Sequence, residues 1–180
     1  MNSVITLGGL HGTGKSSVAD RLANEFNLRR VSAGMIFRKL AKERGLSLEK
    51  FSKVAEGNEE IDRLLDSTLT KEAEKGNVIL DGQLAAWMAG ENSDFNILLT
   101  APLDVRIQRI ADRDGTSFDF AHQETITREE SERNRYLKYY EIDITDYSVY
   151  DLILNTAKYD LKGVCAVLNA AIEVLFKQDK

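Results

Sequence analysis

A glycine-rich loop near the start of the chain constrains the fold more than any other feature of this sequence. Residues 9–16 read Gly-Leu-His-Gly-Thr-Gly-Lys-Ser and match the pattern G-x-x-x-x-G-K-[ST]. The apolar run 4–7 precedes this loop, and residues 16–26 after it have the spacing of an amphipathic helix. A strand, a tight loop and a helix in this order predict an α/β fold with a parallel sheet.

The loop predicts a binding site for the phosphates of a nucleoside triphosphate. Its glycines let successive N–H groups point at phosphate oxygens, and the following helix adds the positive end of its dipole. Lys15 is expected to reach the β- and γ-phosphates, and the Ser16 hydroxyl is expected to bind Mg²⁺. The alternative, a glycine-rich turn with a chance lysine, is disfavoured by the flanking strand and helix. His11 occupies a variable position of the pattern and is assigned no chemistry.

Further apolar runs alternate with stretches of helical period along the 180 residues. The predicted strands are residues 4–7, 29–32, 78–81, 95–99 and 151–154. Several of these runs are continuously apolar, as expected for strands covered on both faces of a parallel sheet. The helices predicted to cover the sheet are residues 16–26, residues 103–112 behind Pro102, and a C-terminal apolar stripe from Leu161 to Leu175 that includes Cys165. The alternation predicts parallel strands joined by right-handed crossovers.

Two segments are too long to be simple crossovers. Residues 33–75 are read as helices around 36–44, 48–55 and 59–74, and residues 115–140 form a second insertion that is dense in charge. Both insertions are expected at one edge of the sheet, where they could move. No internal repeat or linker is found, so residues 1–180 are predicted to form a single domain with two helical insertions.

Composition narrows the class of protein. With 29 acidic and 24 basic residues the formal net charge is −5 and the pI is about 5.2, which argues against general nucleic-acid binding. The single cysteine, Cys165, excludes an internal disulfide framework and suits a reducing compartment. The run 4–7 is too short for a signal peptide, and no run has the ~18 apolar residues of a membrane span. We therefore expect a cytoplasmic protein that binds neither membranes nor nucleic acids.

Asp81 ends the apolar run 78–81 and is followed by Gly82. An acid at the carboxyl end of a buried strand beside the phosphate loop can hold Mg²⁺ through water or orient an acceptor substrate. The alternative is a strand-terminating Asp-Gly turn. The presence of the phosphate loop favours the functional interpretation.

Nucleotide switches, motors and small kinases all use a loop of this kind. A guanine-nucleotide switch needs an Asn-Lys-x-Asp purine reader, and the chain contains no Asn-Lys dipeptide. A motor usually needs a longer chain or a nucleic-acid surface, and the acidic balance does not suggest one. A kinase instead gathers cations around two phosphorylated substrates, because phosphoryl transfer depends mostly on positioning and charge neutralisation.

The arginines are distributed as a kinase requires. Arg106, Arg109 and Arg113 recur on one side of the helix predicted at 103–112 and just beyond it, and Arg128 and Arg135 lie seven apart in the second insertion. A mobile insertion with arginines can close over a triphosphate and exclude water. The alternative is a solvated helix with pairs within it, which are Arg128 with Glu132, Glu129 with Arg133, and Glu132 with Arg135. The spacing leaves both interpretations open.

The acceptor side is less clear from the residues alone. Ser32 at the end of the second predicted strand and Arg38 in the next helix could bind an acceptor phosphate, since the planar guanidinium makes bidentate bonds to phosphate. A helix cap at Ser32 and a surface Arg38 explain the same residues equally well.

Longer motifs carry a resemblance to a known family. They are Ser-Ala-Gly-Met-Ile-Phe-Arg at 32–38, Leu-Asp-Gly at 80–82, Arg-Ile-Ala-Asp-Arg at 109–113, Arg-Glu-Glu-Ser-Glu-Arg-Asn-Arg-Tyr at 128–136, Ile-Asp-Ile at 142–144 and Tyr-Asp-Leu-Ile-Leu-Asn-Thr at 150–156. With them the chain resembles the archaeal-type cytidylate kinases over nearly its whole length. The resemblance implies the nucleoside monophosphate kinase fold: a five-stranded parallel sheet flanked by helices, with an acceptor-binding insertion at 33–75 and a lid at 115–140.

The resemblance also implies an activity and its residues. The family transfers the γ-phosphate of ATP to CMP or dCMP with Mg²⁺. Carried over by position, the ATP-binding residues are Gly8, Gly9, Leu10, His11, Gly12, Thr13, Gly14, Lys15, Ser16 and Ser17. The CMP-binding residues are Ser32, Arg38, Asp81, Gly82 and Gln83, and the metal-binding residues are Ser16 and Asp81. The catalytic residues are Lys15, Arg109, Arg113, Arg128 and Arg135, of which Arg128 and Arg135 would bridge both substrates.

The chain departs from the family pattern at two positions on the acceptor side. Met35 replaces an acidic residue, and Gln83 replaces an arginine of many relatives. Gln83 keeps hydrogen bonding but loses the charge. We predict a monomeric ATP:CMP phosphotransferase. The alternatives are a kinase for AMP, UMP or a shikimate-like hydroxyl acceptor, or a regulator that binds ATP without transferring phosphate.

Overall fold

A five-stranded parallel sheet forms the centre of the computed structural model, which describes residues 3–178. The strands lie in the order β2-β3-β1-β4-β5. They are β1 (Val4–Gly8), β2 (Arg29–Ser32), β3 (Val78–Asp81), β4 (Phe95–Thr100) and β5 (Leu152–Asn155). All five predicted strands form, with ends that differ by at most one residue from the predicted ones. The predicted parallel α/β class is confirmed.

Strand register brings three chain segments to one edge of the sheet. Asp81 at the end of β3 lies opposite Leu7 of β1 and opposite Ser32 of β2. Because the strands are parallel, their carboxyl ends meet at this edge, where ligands of open α/β sheets bind. The glycine-rich loop, Asp81 and Ser32 are neighbours for this reason, although Gly9 and Asp81 lie 72 positions apart in sequence.

Eight helices cover the sheet and extend from it within residues 3–178. They are α1 (Lys15–Glu25), α2 (Ala33–Glu43), α3 (Leu48–Glu56), α4 (Glu59–Glu74), α5 (Ala85–Ala89), α6 (Leu103–Asp114), α7 (Phe118–Tyr140) and α8 (Leu161–Gln178). None of the helices in this range is both long and apolar enough to cross a membrane. The short α5 was not predicted, because five residues contain too little helical period to recognise.

The two faces of the sheet bury different apolar sets. Ile5 and Leu7 of β1 pack with the apolar sides of α1 and α8, including Leu22 and Leu168. The alternate residue Val4 packs on the other face with residues of α4 and α5. Side chains that alternate along a strand thus reach helices on both sides, as a buried parallel sheet requires.

The first insertion forms the three predicted helices α2, α3 and α4 around its own small core. The rings of Phe37 and Phe51 pack at a centroid distance of 4.7 Å within that core, with their planes tilted by 53°. Ser32 caps α2, since its hydroxyl accepts the N–H of Met35 at 3.3 Å, and α2 therefore begins at Ala33 rather than near residue 36. The alternative of a helix cap at Ser32 is thus realised in the structure.

The second insertion is one long helix, α7, of 23 residues. It packs mainly against α3 of the first insertion and against α6. The side of α7 that faces these helices is polar but buried, and it consists of Thr125, Arg128, Ser131, Glu132 and Arg135 together with Ala121. Buried polar groups need hydrogen-bond or ion-pair partners, and the partners of several of these side chains lie in the candidate site.

Candidate functional site

The glycine-rich loop wraps closely around the first turn of α1. Gly9, Gly12 and Gly14 have φ angles of 130°, 78° and 95°. A Cβ atom on Gly12 would lie 2.4 Å from the carbonyl oxygen of Arg106, and one on Gly9 would lie 2.2 Å from that of Leu99. Both the dihedral angles and the close backbone approach therefore require glycine at these two positions.

Lys15 bends back into the loop. Its Nζ donates to the carbonyl oxygens of Gly9 at 2.5 Å and Leu10 at 2.8 Å. Desolvation lowers the pKa of Lys15, and the nearby carboxylates of Asp81 and Glu132 oppose that shift. The ammonium thus lies inside the curl of amides, where a bound phosphate chain would meet both.

Asp81 forms a junction between the loop and β2. Its Oδ2 accepts the hydroxyl of Ser16 at 3.1 Å and the guanidinium of Arg30 at 2.6 Å. Arg30 also contacts Asp20 of α1 at 2.5 Å. A serine hydroxyl beside a buried carboxylate is an oxygen donor set of the kind that Mg²⁺ takes together with substrate phosphates. Ser16 and Asp81 therefore fit the predicted metal site, with Arg30 as a competing partner of the carboxylate.

The three arginines of α6 each have different partners. Arg106 is buried and donates to the carbonyl oxygen of His11 at 2.8 Å and to Glu129 at 2.6 Å. Arg109 donates to the hydroxyl of Thr156 at 2.9 Å and to its carbonyl oxygen at 3.0 Å. Arg113 is exposed and pairs with the adjacent Asp114. Arg106 thus holds the loop against α7, while Arg109 and Arg113 lie beside the cavity.

Two arginines of α7, Arg128 and Arg135, point inward. Arg135 is 3% exposed, and its Nε donates to Asp62 of α4 at 2.8 Å. Arg128 is also buried, lies 3.9 Å from Glu132, and has a buried Nε with no hydrogen-bond partner. The alternative of a solvated helix with internal ion pairs is therefore wrong. Glu129 pairs with Arg106 and Arg135 pairs with Asp62, so two of the three expected pairs are replaced by contacts between helices.

On the acceptor side the predicted residues surround the end of β3. Gly82 follows Asp81, and a Cβ there would lie 3.1 Å from Cβ of Ala33, so the backbone approach is tight. Arg38 is exposed and lines the cavity. Partial desolvation of its guanidinium, and the nearby charges of Arg113 and Arg128, lower its pKa.

A single cavity of about 540 Å³ joins the two sides. It brings together His11, Gly12, Thr13, Gly14, Lys15, Ser16, Ser17, Ser32, Arg38, Asp81, Gly82, Gln83, Arg109, Arg113, Arg128 and Arg135. Gly8, Gly9 and Leu10 do not line it. Gly8 lies against the ring of Tyr150, and Gly9 and Leu10 face a second cavity of about 380 Å³ behind the loop.

Sequence similarity to known proteins identifies the family of this chain. A sequence model of the cytidylate kinase-like family matches residues 4–158. A cytidylate kinase of Methanocaldococcus jannaschii is 46% identical over 177 residues, which cover 97% of this chain and 99% of the relative. The chain belongs to the cytidylate kinase-like family. The resemblance seen in its motifs is thereby confirmed.

Solved structures of low sequence identity share the fold. An uncharacterized protein from Eubacterium ventriosum has a TM-score of 0.68 at 19% identity, with 95% of this chain and 98% of that one covered. A shikimate kinase from Acinetobacter baumannii, solved in complex with shikimate, has a TM-score of 0.62 at 14% identity, with 96% and 93% covered. The architecture of this cytidylate kinase-like chain is thus shared with a shikimate kinase.

Several residues of the site were not predicted from the sequence. Asp62, Glu132 and Thr156 line the cavity, and Arg30 contacts Asp81. Arg30 could have been found, because it lies two residues before Ser32 in a strand and shares its face of the sheet. Asp62 had no such signal, since its partner Arg135 is 73 residues away in sequence.

Proposed function

We propose that this chain is a cytidylate kinase that transfers the γ-phosphate of ATP to CMP or dCMP with Mg²⁺, as a cytoplasmic monomer. The observation that carries the proposal is the single cavity lined by the glycine-rich loop, by the acceptor-side residues after β2 and β3, and by the inward arginines of α7. Such a cavity can hold a phosphate donor and a phosphorylated acceptor end to end, with cations around the phosphoryl group that is transferred.

The donor would bind at the loop. The loop amides and the N-terminus of α1 would hold the β- and γ-phosphates of ATP. Lys15 would exchange the carbonyl oxygens of Gly9 and Leu10 for phosphate oxygens, which is a short movement of one flexible side chain. Arg109 and Arg113 line the same cavity and would lie beside the phosphate chain.

Ser16 and Asp81 would hold the Mg²⁺ that accompanies ATP. When bound, the ion supplies charge neutralisation to the phosphate oxygens. Asp81 is kept in place by Arg30 and by the Ser16 hydroxyl, so this carboxylate has a fixed orientation toward the loop.

The acceptor would bind between β3 and α2. Arg38 and the residues after β3, Gly82 and Gln83, would contact CMP, and Ser32 would contact it while capping α2. The attacking atom is a phosphate oxygen that is already ionised at neutral pH, so no side chain has to act as a general base. Catalysis would come from orientation and from the cations Lys15 and Arg128 around the transferring group.

The helix α7 would act as the lid. Arg128 and Arg135 are buried on the side of α7 that faces the cavity, and the helix also contacts α3 in the acceptor insertion. A helix in this position excludes water from the γ-phosphate, which favours transfer to CMP over hydrolysis.

An assay of ADP release over a panel of acceptors tests this function. With ATP and Mg²⁺ we expect rapid ADP formation with CMP and dCMP, and at least about tenfold lower kcat/KM with AMP, UMP or shikimate. Faster turnover with another acceptor would reassign the substrate. Tight ATP binding without acceptor-dependent ADP release would instead identify a regulator.

A further inference from the structure

The lid helix carries a buried carboxylate in the middle of the cationic cavity. Glu132 is 6% exposed and lines the cavity together with Lys15, Arg128 and Arg135. A carboxylate in a site for phosphates needs a physical reason, because its charge repels the substrates that the site binds.

The partners of Glu132 come from three separate elements. Its Oε2 accepts from His11 of the glycine-rich loop at 2.8 Å and from the side-chain amide of Gln83 after β3. Its Oε1 lies 3.9 Å from Arg128 of its own helix. Burial lowers the pKa of His11, and Glu132 opposes that shift. Because an ionised carboxylate can only accept, the Nε2–H of His11 is the donor in this contact. One carboxylate thus joins the donor side, the acceptor side and the lid.

Glu132 is ionised in this position. Burial acts to raise its pKa, but the contact with His11 and the charges of Arg128 and Arg135 outweigh burial and hold the pKa below its usual value. The guanidinium, imidazole and amide N–H groups around it are also the groups that bind phosphate oxygens. The carboxylate of Glu132 therefore accepts hydrogen bonds from the same N–H groups that would bind the oxygens of a substrate phosphate.

We propose that Glu132 is a positioning residue that competes with substrate phosphates for His11, Gln83 and Arg128. The single Nε2–H of His11 cannot serve two acceptors well, and adjacent anions repel each other, so nucleotide binding at these donors has to move Glu132 away from His11 and Gln83. The freed N–H groups then turn to phosphate oxygens. Before nucleotides bind, Glu132 neutralises cations that otherwise repel one another, such as Arg128 and Arg38. This inference rests on the proposed function only in that nucleotide phosphates occupy the cavity.

The variant Glu132→Gln tests the competition, because it removes the charge and keeps the shape. We expect it to bind ATP and CMP, each measured alone by calorimetry, about 3–10-fold more tightly than the wild type. KM should fall, and kcat should fall with it, because the products ADP and CDP leave more slowly. Glu130→Gln is the matched control: Glu130 is exposed on the same helix, and its replacement should change both affinities by less than about twofold.

Unchanged or weaker nucleotide binding by Glu132→Gln, with wild-type binding intact, overturns the inference and leaves the proposed function standing. Absence of ATP binding by the wild type overturns the proposed function instead. A second measurement needs no variant: a crystal structure of the wild type with an ATP analogue and CMP. We expect Glu132 more than about 4 Å from His11 Nε2 and Gln83 Nε2, beyond hydrogen-bond distance. A carboxylate still bonded to both side chains overturns the inference.

Discussion

At the scale of single residues, Lys15 is the side chain on which the proposed transfer depends most. Its ammonium is held by two backbone carbonyls of the loop and has no carboxylate within ion-pair distance among residues 3–178. Lys15→Ala should lower kcat with ATP and CMP at least about a hundredfold, or about 2.7 kcal/mol of transition-state stabilisation. Steady-state kinetics at saturating substrates measure this loss.

A matched control for Lys15 lies on α2. Lys39 is exposed and its pairing with Glu43 is loose, at 3.9 Å, so Lys39→Ala should keep turnover within about twofold of the wild type. Retention of more than half the activity by Lys15→Ala would show that this ammonium does not contact the transferring group.

Residues with a local signal were predicted, and residues that depend on long-range contacts were not. Lys15 and Ser16 follow from eight consecutive residues, because the chemistry of the loop is contained in its own backbone. His11 was given no chemistry, yet it contacts Glu132, which is 121 residues away in sequence. Helical spacing suggested pairs within α7, but burial of that helix brought Asp62 and Arg106 closer than the neighbours in sequence.

At the scale of elements, the contact between α4 and α7 contains a buried acid, and its effect on the stability of the fold can be measured. Asp66 of α4 is 8% exposed, and its Oδ2 has no hydrogen-bond partner among the described residues. Burial raises the pKa of Asp66 to about 6, and the neighbouring Asp62 adds to this shift. A pKa higher in the folded than in the unfolded chain means that folding favours the protonated carboxyl. The free energy of unfolding should therefore fall as pH rises from about 4 to about 6.

Asp66→Asn keeps a neutral group at this position at every pH. We expect the variant to be more stable than the wild type at pH 7.5 by roughly 2 kcal/mol, with a gain of less than half that size at pH 4.5. Urea unfolding of both proteins at the two pH values measures the difference. Glu74→Gln, at an exposed position of the same helix, should show no such pH-dependent gain. Equal stability of Asp66→Asn and the wild type at pH 7.5 would contradict the prediction.

The elements themselves were predictable where their period was long enough. The apolar runs predicted all five strands, and the stripe from Leu161 predicted α8, because burial against a sheet selects those residue types. The position of α7 was not predictable from its period. Its inward side is made of buried charged and hydroxyl residues, so a hydrophobic stripe does not mark the side that packs.

At the scale of the whole molecule, the two halves of the cavity come from segments that are distant in the chain. The loop after β1 supplies the donor half, whereas α2, α4 and α7 supply most of the acceptor and lid residues. Each nucleotide should therefore link several elements and stabilise the folded state. At a concentration of about 100 times Kd, one bound ligand adds about 2.7 kcal/mol. For a chain of this length that corresponds to a Tm increase of about 5–10 °C.

Thermal unfolding of the wild type and of Lys15→Ala should distinguish binding in the donor half of the cavity from binding in the acceptor half. ATP and CMP should each raise the Tm of the wild type, and inorganic phosphate at the same concentration should raise it by less, because it contacts only one part of the cavity. Lys15→Ala should lose most of the increase with ATP and keep the increase with CMP, since Lys15 lies in the loop and Arg38 and Gln83 lie on the other side of the cavity. Equal loss of both increases would mean that Lys15 holds the cavity together as a structural residue. In that case its role would have to be assigned to folding rather than to the phosphates of ATP.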